Sequence, residues 1–300
     1  MALPLRSTKS KFLPLTGVEL SLADIRRIAN RLLDIVHARG REIVSGLIQP
    51  SDKTAEQWDA EKQTLLADAF GIIVTVAGAN GERLHGNVPE VFDSPNMPAR
   101  IESIYLSNIV PFERRIGVQP DERFTLLFDF SKPPLLDSQN FVSSRTPNNS
   151  HIDAIGNTDT WVGSIIEAVT SVTSQRKISR LGLHKGFSYD VGLFALWLPI
   201  NIYICYRMSP LLSDVIGRAS PLLGTISYAY AFFALAFLFR VLYGYTKWAF
   251  PTVELEENKK RTAGHRNFWY VLALGLLATA VWEVGKAFFS AAPIGSLPTP

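Results

Sequence analysis

The sequence predicts an α+β cytoplasmic domain, with an N-terminal helical hairpin, an antiparallel sheet and a C-terminal helix, followed by an all-α membrane domain of three transmembrane helices. Three observations predict it. Charged residues make up only 19% of the 300-residue chain, against ~25% for a typical soluble domain. The deficit begins near Phe187 and is concentrated in three apolar blocks. Before that point the apolar residues recur first at helical spacing, then in alternation, then at helical spacing again.

The N-terminal half, residues 1–180, is read in order. Its first twenty residues are basic but contain no continuous apolar core of the length a secretory signal needs. Ser21 and Asp24 form a capping-box pattern. Leu22, Ile25, Ile28, Ala29, Leu32, Ile35 and Val36 then follow one helical face, and Ile43, Val44 and Leu47 extend it past Gly40 to Pro50. A second helix is expected from Lys53 to Ala69, with Trp58, Leu65, Leu66 and Ala69 on one side.

The period then changes. "GIIVTVAGANGERLHG" reads as a hairpin about Asn80-Gly81, since both residues tolerate positive φ. "ARIESIYLS" is a third strand. In "ERFTLLFDF", Phe124, Leu126, Phe128 and Phe130 alternate with polar neighbours, and Pro133-Pro134 ends the strand. Leu135 to Ile155 reads as loop with at most one short strand. Asn157 or Thr158 then caps a helix carrying Trp161, Ile165, Ile166, Val169 and Val172 on one face.

Residues 181–300 form the membrane domain, with spans expected near 187–207, 220–246 and 267–289. Each reaches the ~20 residues needed to cross ~30 Å of hydrocarbon. Tyr243, Tyr245, Trp248 and Phe250, and then Phe268, Trp269 and Tyr270, mark interfaces. The polar segment between them, "PTVELEENKKRTAGHR", reads as a short loop. Arg176, Lys177, Arg180 and Lys185 precede the first span without an intervening acid and are assigned to the inner leaflet. Lys247, Lys259, Lys260, Arg261 and Arg266 flank the loop between the second and third spans. The positive-inside rule then gives a multi-pass protein of the inner or plasma membrane, N-terminus cytoplasmic and C-terminus outside.

Polar residues inside such spans carry a functional prior because they are costly in hydrocarbon. Asp190 and Arg240 enter from the same side and are a candidate ion pair. Glu283 and Lys286, three apart on one face, are a second. Pro199 and Asn201 lie deeper and are expected at a kink or a helix contact.

Enzymatic signatures are absent from the sequence: no H-E-x-x-H, G-x-S-x-G, P-loop, G-x-G-x-x-G or cysteine pair. Gly78, Gly81 and Gly86 are explained by a turn. His85 and His151, with Asp129, Asp137 or Asp153, are the only acid/base or metal material in the strand region, and His151 with Asp153 share one strand side. No cofactor or metal is expected. Arg26, Arg27, Arg31, Arg39 and Arg41 make one helix basic, but Asp24, Asp34 and Glu42 interrupt the face, so nucleic acid is not an expected partner. Asn148-Asn149-Ser150 matches a glycan acceptor that a cytoplasmic position leaves unused. Cys205 is the sole cysteine and forms no intramolecular disulfide.

The expected partners are the bilayer and a cytoplasmic protein or small ligand, with a homo-oligomer as a further option. The first reading is a membrane-anchored regulatory or binding protein with a sensing domain. The alternatives are an oligomeric effector of signalling or defence type that perturbs the membrane, and a membrane-bound enzyme centred on His151 and Asp153.

Overall fold

A computed structural model of the protein describes residues 8–133, 146, 148–212 and 220–291. Asp137 and most of the expected loop from Leu135 lie outside the described residues, as do residues 213–219. The chain divides into two compact units, Met1–Asn258 and Lys259–Pro300.

The first unit is built on a six-stranded, fully antiparallel sheet of order β1-β7-β6-β5-β3-β4. Its strands are β1 (Lys9–Pro14), β3 (Ile73–Gly78), β4 (Arg83–Asn87), β5 (Ile101–Ser107), β6 (Arg123–Asp129) and β7 (His151–Gly156). One face is buried: Val74, Val76, Ile104, Leu106, Phe124, Leu126, Phe128, Ile152 and Ala154 form the centre of the core. Alternation in β6 and β7 is complete, so one face takes every second side chain.

Helices α1 (Leu22–Ser45), α2 (Ala55–Ala69), α3 (Ile109–Ile116) and α4 (Asp159–Thr173) complete the domain. α1 and α4 pack on each other, and α4 packs on β7. The capping box at Ser21 is present: Asp24 N donates to Ser21 Oγ at 3.1 Å, and Ser21 N donates to Asp24 Oδ2 at 3.2 Å. Asp24 is buried, which alone would raise its pKa. The bonds from Ser21 and the guanidinium of Arg176 outweigh that and hold it below the ordinary carboxylate value.

α1 runs through Gly40 because the glycine makes room there for its neighbour. A Cβ at Gly40 would stand 2.6 Å from Phe70 Cγ and 2.8 Å from Leu66 Cδ1. The helices therefore approach too closely for any side chain.

The one short strand allowed for before Ile155 is present as β7, an inner strand paired on both sides. Three features differ from the expectation. The Asn80-Gly81 turn uses positive φ at Gly81 alone, and Gly81 N donates back to Gly78 O at 3.1 Å, so the loop has three residues rather than two. β1 is an additional edge strand, mostly exposed, so no alternation advertises it. The polar segment after Phe250 is not simply a loop: β8 (Val253–Leu255) is a buried strand, paired in parallel with β2 (Val18–Leu20).

Within the same unit, α5 (Gly186–Val191), a π-helical stretch (Gly192–Trp197) and α6 (Leu198–Leu212) make one continuous rod, and α7 (Pro221–Ala249) returns beside it. Both rods are long and apolar enough to cross a membrane, with almost no burial inside the protein. The π-helical turns lie just before Pro199, whose missing N–H cannot serve an α-helical bond; a π register is one that tolerates the gap. The second unit contains α8 (Ala263–Ala291), a 29-residue helix at the place of the expected third span. Among the described residues two helices, not three, meet the length and apolarity required of a span.

Candidate functional site

Two places combine buried polar groups with unusual geometry. The first is a collar where the rods leave and re-enter the α+β domain. Three-residue β2 is used on both edges. On one, Ile178 N donates to Gly17 O at 2.8 Å and Val18 bridges Lys177. On the other, Val18 N donates to Thr252 O at 3.1 Å and the parallel ladder to β8 begins. Gly17 has φ +67, and a Cβ there would lie 3.4 Å from the Ile178 carbonyl oxygen. One short strand thus holds both the entry to the first rod and the exit from the second.

Charge reinforces the collar. Ladder register places Glu19 beside Glu254, a repulsive pairing if left alone. Arg180 resolves it, with Nη1 2.8 Å from Glu254 and Nη2 3.7 Å from Glu19. Its guanidinium also lies over the Phe250 ring, 5.5 Å from the centroid. Nearby, Leu22 N donates to Glu257 at 2.9 Å and Asn258 Nδ2 to the Ile101 carbonyl at 2.8 Å. The segment after the second rod is therefore stitched to the domain at several points.

His184 completes the ring of contacts. Nε2 lies 2.7 Å from Phe250 O, and Nδ1 lies 2.9 Å from Thr146 Oγ1. A carbonyl only accepts, so Nε2 carries the proton, Nδ1 accepts, and the Thr146 hydroxyl donates. Burial chiefly lowers the His184 pKa, with Lys247 acting in the same sense and the bond to Phe250 O opposing. Tyr243 Oη donates to Leu183 O at 2.6 Å, and Lys132 sits 3.8 Å above the Trp248 ring.

The rods themselves are antiparallel. Trp197 Nε1 donates to Leu235 O at 2.8 Å, Asn201 Nδ2 to Phe232 O at 3.0 Å, and Tyr228 Oη to Ser209 O at 2.9 Å. Asn201 is fully buried between them. Extending that register places Asp190 level with Arg240, both within electrostatic reach of Tyr189. Tyr189, Trp197, Phe239 and Tyr243 meet at the same level in tilted and edge-to-face contacts. In α8, Lys286 Nζ lies 2.8 Å from Glu283 Oε1.

The basic cluster before the rods is divided by the structure. Arg176 pairs with Asp24 at 2.9 Å and Arg180 with the collar glutamates, whereas Lys177 and Lys185 are exposed. The basic face of α1 is similarly engaged: Arg26 grips Asp93 through two 2.7 Å bonds, and Arg31 reaches Ser171 at 2.7 Å. His151 and Asp153 do share one side of β7, but His151 stacks on Phe12 at 5.0 Å and Nδ1 meets the Asn149 carbonyl at 2.6 Å. His85 bonds to Thr75 Oγ1.

The second place is a cavity of about 370 Å³ at the end of the domain where α1, α2, α3 and α4 converge with the loop before β6. Val36, Ala69, Phe70 and Trp161 are buried in its wall, and exposed Ile43 and Val118 stand at its mouth. Asn108 fixes the loop: Nδ2 donates to Glu122 O at 3.0 Å and Oδ1 accepts from Phe124 N at 2.9 Å. Glu122 is buried, with Oε2 2.5 Å from Arg39 Nε, and Arg39 Nη1 also meets Glu42 at 2.7 Å. Three solvent-shielded atoms of cavity-lining residues have no hydrogen-bond partner among the described residues: Glu122 Oε1, Asn157 Oδ1 and Trp161 Nε1. Each such orphan costs about 1–3 kcal/mol. Sequence reading placed Trp161 and Asn157 at the start of α4 but found no signal for the cavity, because its residues come from five separate segments.

No protein-family model, no curated protein and no solved structure matches the chain.

Proposed function

We propose that the chain is a membrane-anchored regulatory protein whose α+β domain binds a small ligand or partner on the cytoplasmic side and passes its state to the rods. The observation that carries this reading is the double use of β2. Any change that moves β2 pulls on both ends of the α5–α7 hairpin at once. The hairpin crosses the bilayer and returns, so that the domain and the segment around Asn258 share one side. Lysines and arginines flanking both ends favour the cytoplasm for that side. In this arrangement α8 is a third span leading the C-terminus outside. Asp190 and Arg240 pair at the cytoplasmic edge, Lys177 and Lys185 meet anionic headgroups, and Pro199 and Asn201 sit at depth.

Accessibility labelling tests the anchor. In a Cys205→Ser background, Ser51→Cys and Asn258→Cys are both labelled from the cytoplasmic face only; labelling of position 258 from the opposite face overturns it. Regulation is separated from membrane attack by reconstituting the full chain in dye-loaded vesicles. Retained dye is expected, and spontaneous leakage would favour the pore-forming alternative.

A further inference from the structure

We propose that a groove at the foot of the first rod holds the phosphate headgroup of an anionic phospholipid. The groove has a volume of about 420 Å³. It is walled by the chain from Leu13 to Val18, by the end of α4 at Thr173 and Ser174, and by Lys177, Ile178 and Leu181 on the way to the rod. The first and last of these walls meet closely. A Cβ on Gly17 would stand 3.4 Å from Ile178 O and 3.8 Å from Leu181 Cβ.

Charge selects an anion. No carboxylate lines the groove, and Lys177 is its one charged lining residue. Arg176 and Arg180, its neighbours in the basic cluster, are turned away to Asp24 and to Glu19 and Glu254. The Lys177 side chain is exposed and has no acidic partner among the described residues. Its main chain is held by the bridge to Val18, so the ammonium stands on an anchored position. Thr16, half-buried in the facing wall, has a hydroxyl and an N–H with no partner among the described residues. Phosphate oxygens accept from an ammonium, a hydroxyl and an amide alike.

The remaining wall selects a lipid over free phosphate. Leu13, Ile178 and Leu181 give the groove an apolar side, and Leu181 is exposed. That side runs toward the first rod, which begins at Gly186. Two residues past Leu181, Leu183 O accepts from Tyr243 Oη at 2.6 Å, and Tyr243 belongs to the aromatic set expected at the bilayer interface. A headgroup in the groove therefore has an apolar path for its acyl chains beside Leu181. The inference rests on the membrane-anchored reading and deepens it by naming a ligand. Val18 is both a lining residue and the first residue of β2, so an occupied groove bears on the strand that holds both rod ends.

Dioctanoyl phosphatidylglycerol, dioctanoyl phosphatidylcholine and inorganic phosphate, titrated separately into the full chain in a neutral maltoside detergent, test the site by native mass spectrometry. A single saturable phosphatidylglycerol adduct is expected, with phosphatidylcholine weaker and no saturable phosphate adduct. Lys177→Gln is expected to weaken phosphatidylglycerol about tenfold, the scale of one lost charge-assisted hydrogen bond. Lys185→Gln, in the same basic cluster but outside the groove, is expected to leave the affinity unchanged. Should Lys177→Gln fail to fold, Ser174→Glu carries the test by setting a carboxylate against the headgroup at an exposed position, and a comparable loss is expected. Equal losses in Lys177→Gln and Lys185→Gln would reduce the effect to diffuse basic attraction and overturn the proposal. Equal affinity for the two lipids, or unaltered affinity in a folded Lys177→Gln or Ser174→Glu protein, overturns it too. Displacement of the lipid by inorganic phosphate at matched concentration would assign the groove to free phosphate instead. Binding in detergent does not depend on orientation in a bilayer, so failure here is distinct from failure of the accessibility test of the anchor.

Discussion

Glu19 and Glu254 are neighbours across the β2–β8 ladder, two carboxylates in register on strands that share no sequence neighbourhood. Arg180, within 2.8 Å of one and 3.7 Å of the other, offsets that repulsion. Arg180→Ala is therefore expected to destabilise the collar by about 2–4 kcal/mol, as removal of one partner from a buried charge pair does. Adding Glu254→Gln should recover part of the loss, because the repulsion goes with the charge. Denaturant melts of the full chain in detergent measure both. A double variant no more stable than Arg180→Ala alone would show that Glu254 is held by other contacts.

His184 makes the collar sensitive to acid. Its folded pKa is depressed by burial, below the ordinary value of 6.5. The unfolded chain therefore binds a proton before the folded one does. The contribution of His184 is fully present above pH 6.5 and is lost as pH falls from there through the lower folded value. His37 on α1 is lowered in the same direction, by burial and then by Arg41. Melting temperatures measured between pH 7.5 and 5 are expected to fall, and the fall should be shallower in a His184→Gln variant. An unchanged slope in that variant would assign the effect elsewhere.

Asn201 joins the two rods through a single bond to the Phe232 carbonyl. Leucine has the same number of side-chain heavy atoms, branched at the same carbon; it is bulkier and removes the amide. Asn201→Leu is expected to weaken rod association by about 0.5–1.5 kcal/mol, the range for polar contacts between helices in membranes. Resonance energy transfer between labels on α6 and α7, followed through a denaturing detergent titration, reads the change. A gain in stability would mean that the amide is a cost rather than a tie.

Two glycines in helices should respond with opposite sign. Gly40→Ala pushes a methyl into Phe70 and Leu66, and overpacking of this kind costs about 1–3 kcal/mol. Gly163→Ala, inside α4 with nothing within 4 Å of the added carbon, should stabilise by about 0.4–1 kcal/mol. Paired thermal melts decide the signs. Equal effects would show that the close approach of α1 to α2 is not what retains Gly40.

Much of the domain was legible because its elements are long enough to repeat. α1 shows seven apolar positions on one face, β6 shows three alternating aromatics and leucines with Phe130 just beyond it, and α4 buries the face its sequence marks. The short elements were not legible. β2 and β8 have three residues each, less than two periods of alternation. β1 is exposed along most of its length, with Leu13 alone packed partly against the core, so little constrains its pattern. β7 alternates and was expected as one short strand, but the stretch before it is so rich in Ser, Asn and Pro that nothing marked it as an inner strand paired on both sides.

The site followed the same division. Arg180 was visible as one of four clustered basic residues, and lipid headgroups were its natural partner on sequence alone. Its actual acids lie 161 residues before it and 74 after it. Asp24 was visible as a cap, whereas its second partner, Arg176, comes from the far end of α4. Glu122 carried no mark in the sequence at all. Its burial depends on α1, α3 and α4 meeting over it.

By itself the sequence determined the periodic facts: which faces are apolar, where helices start, and which long segments suit a membrane interior, two of the three expected being long and apolar enough among the described helices. These follow from per-residue transfer free energies and local backbone preferences, which neighbouring residues express directly. Tertiary structure alone decided that β8 returns to β2, that Arg180 stands between two glutamates, and that Glu122 is buried where α1, α3 and α4 meet. Those depend on which distant segments meet, and a hydrogen bond or an ion pair leaves no periodic trace in either segment before they do.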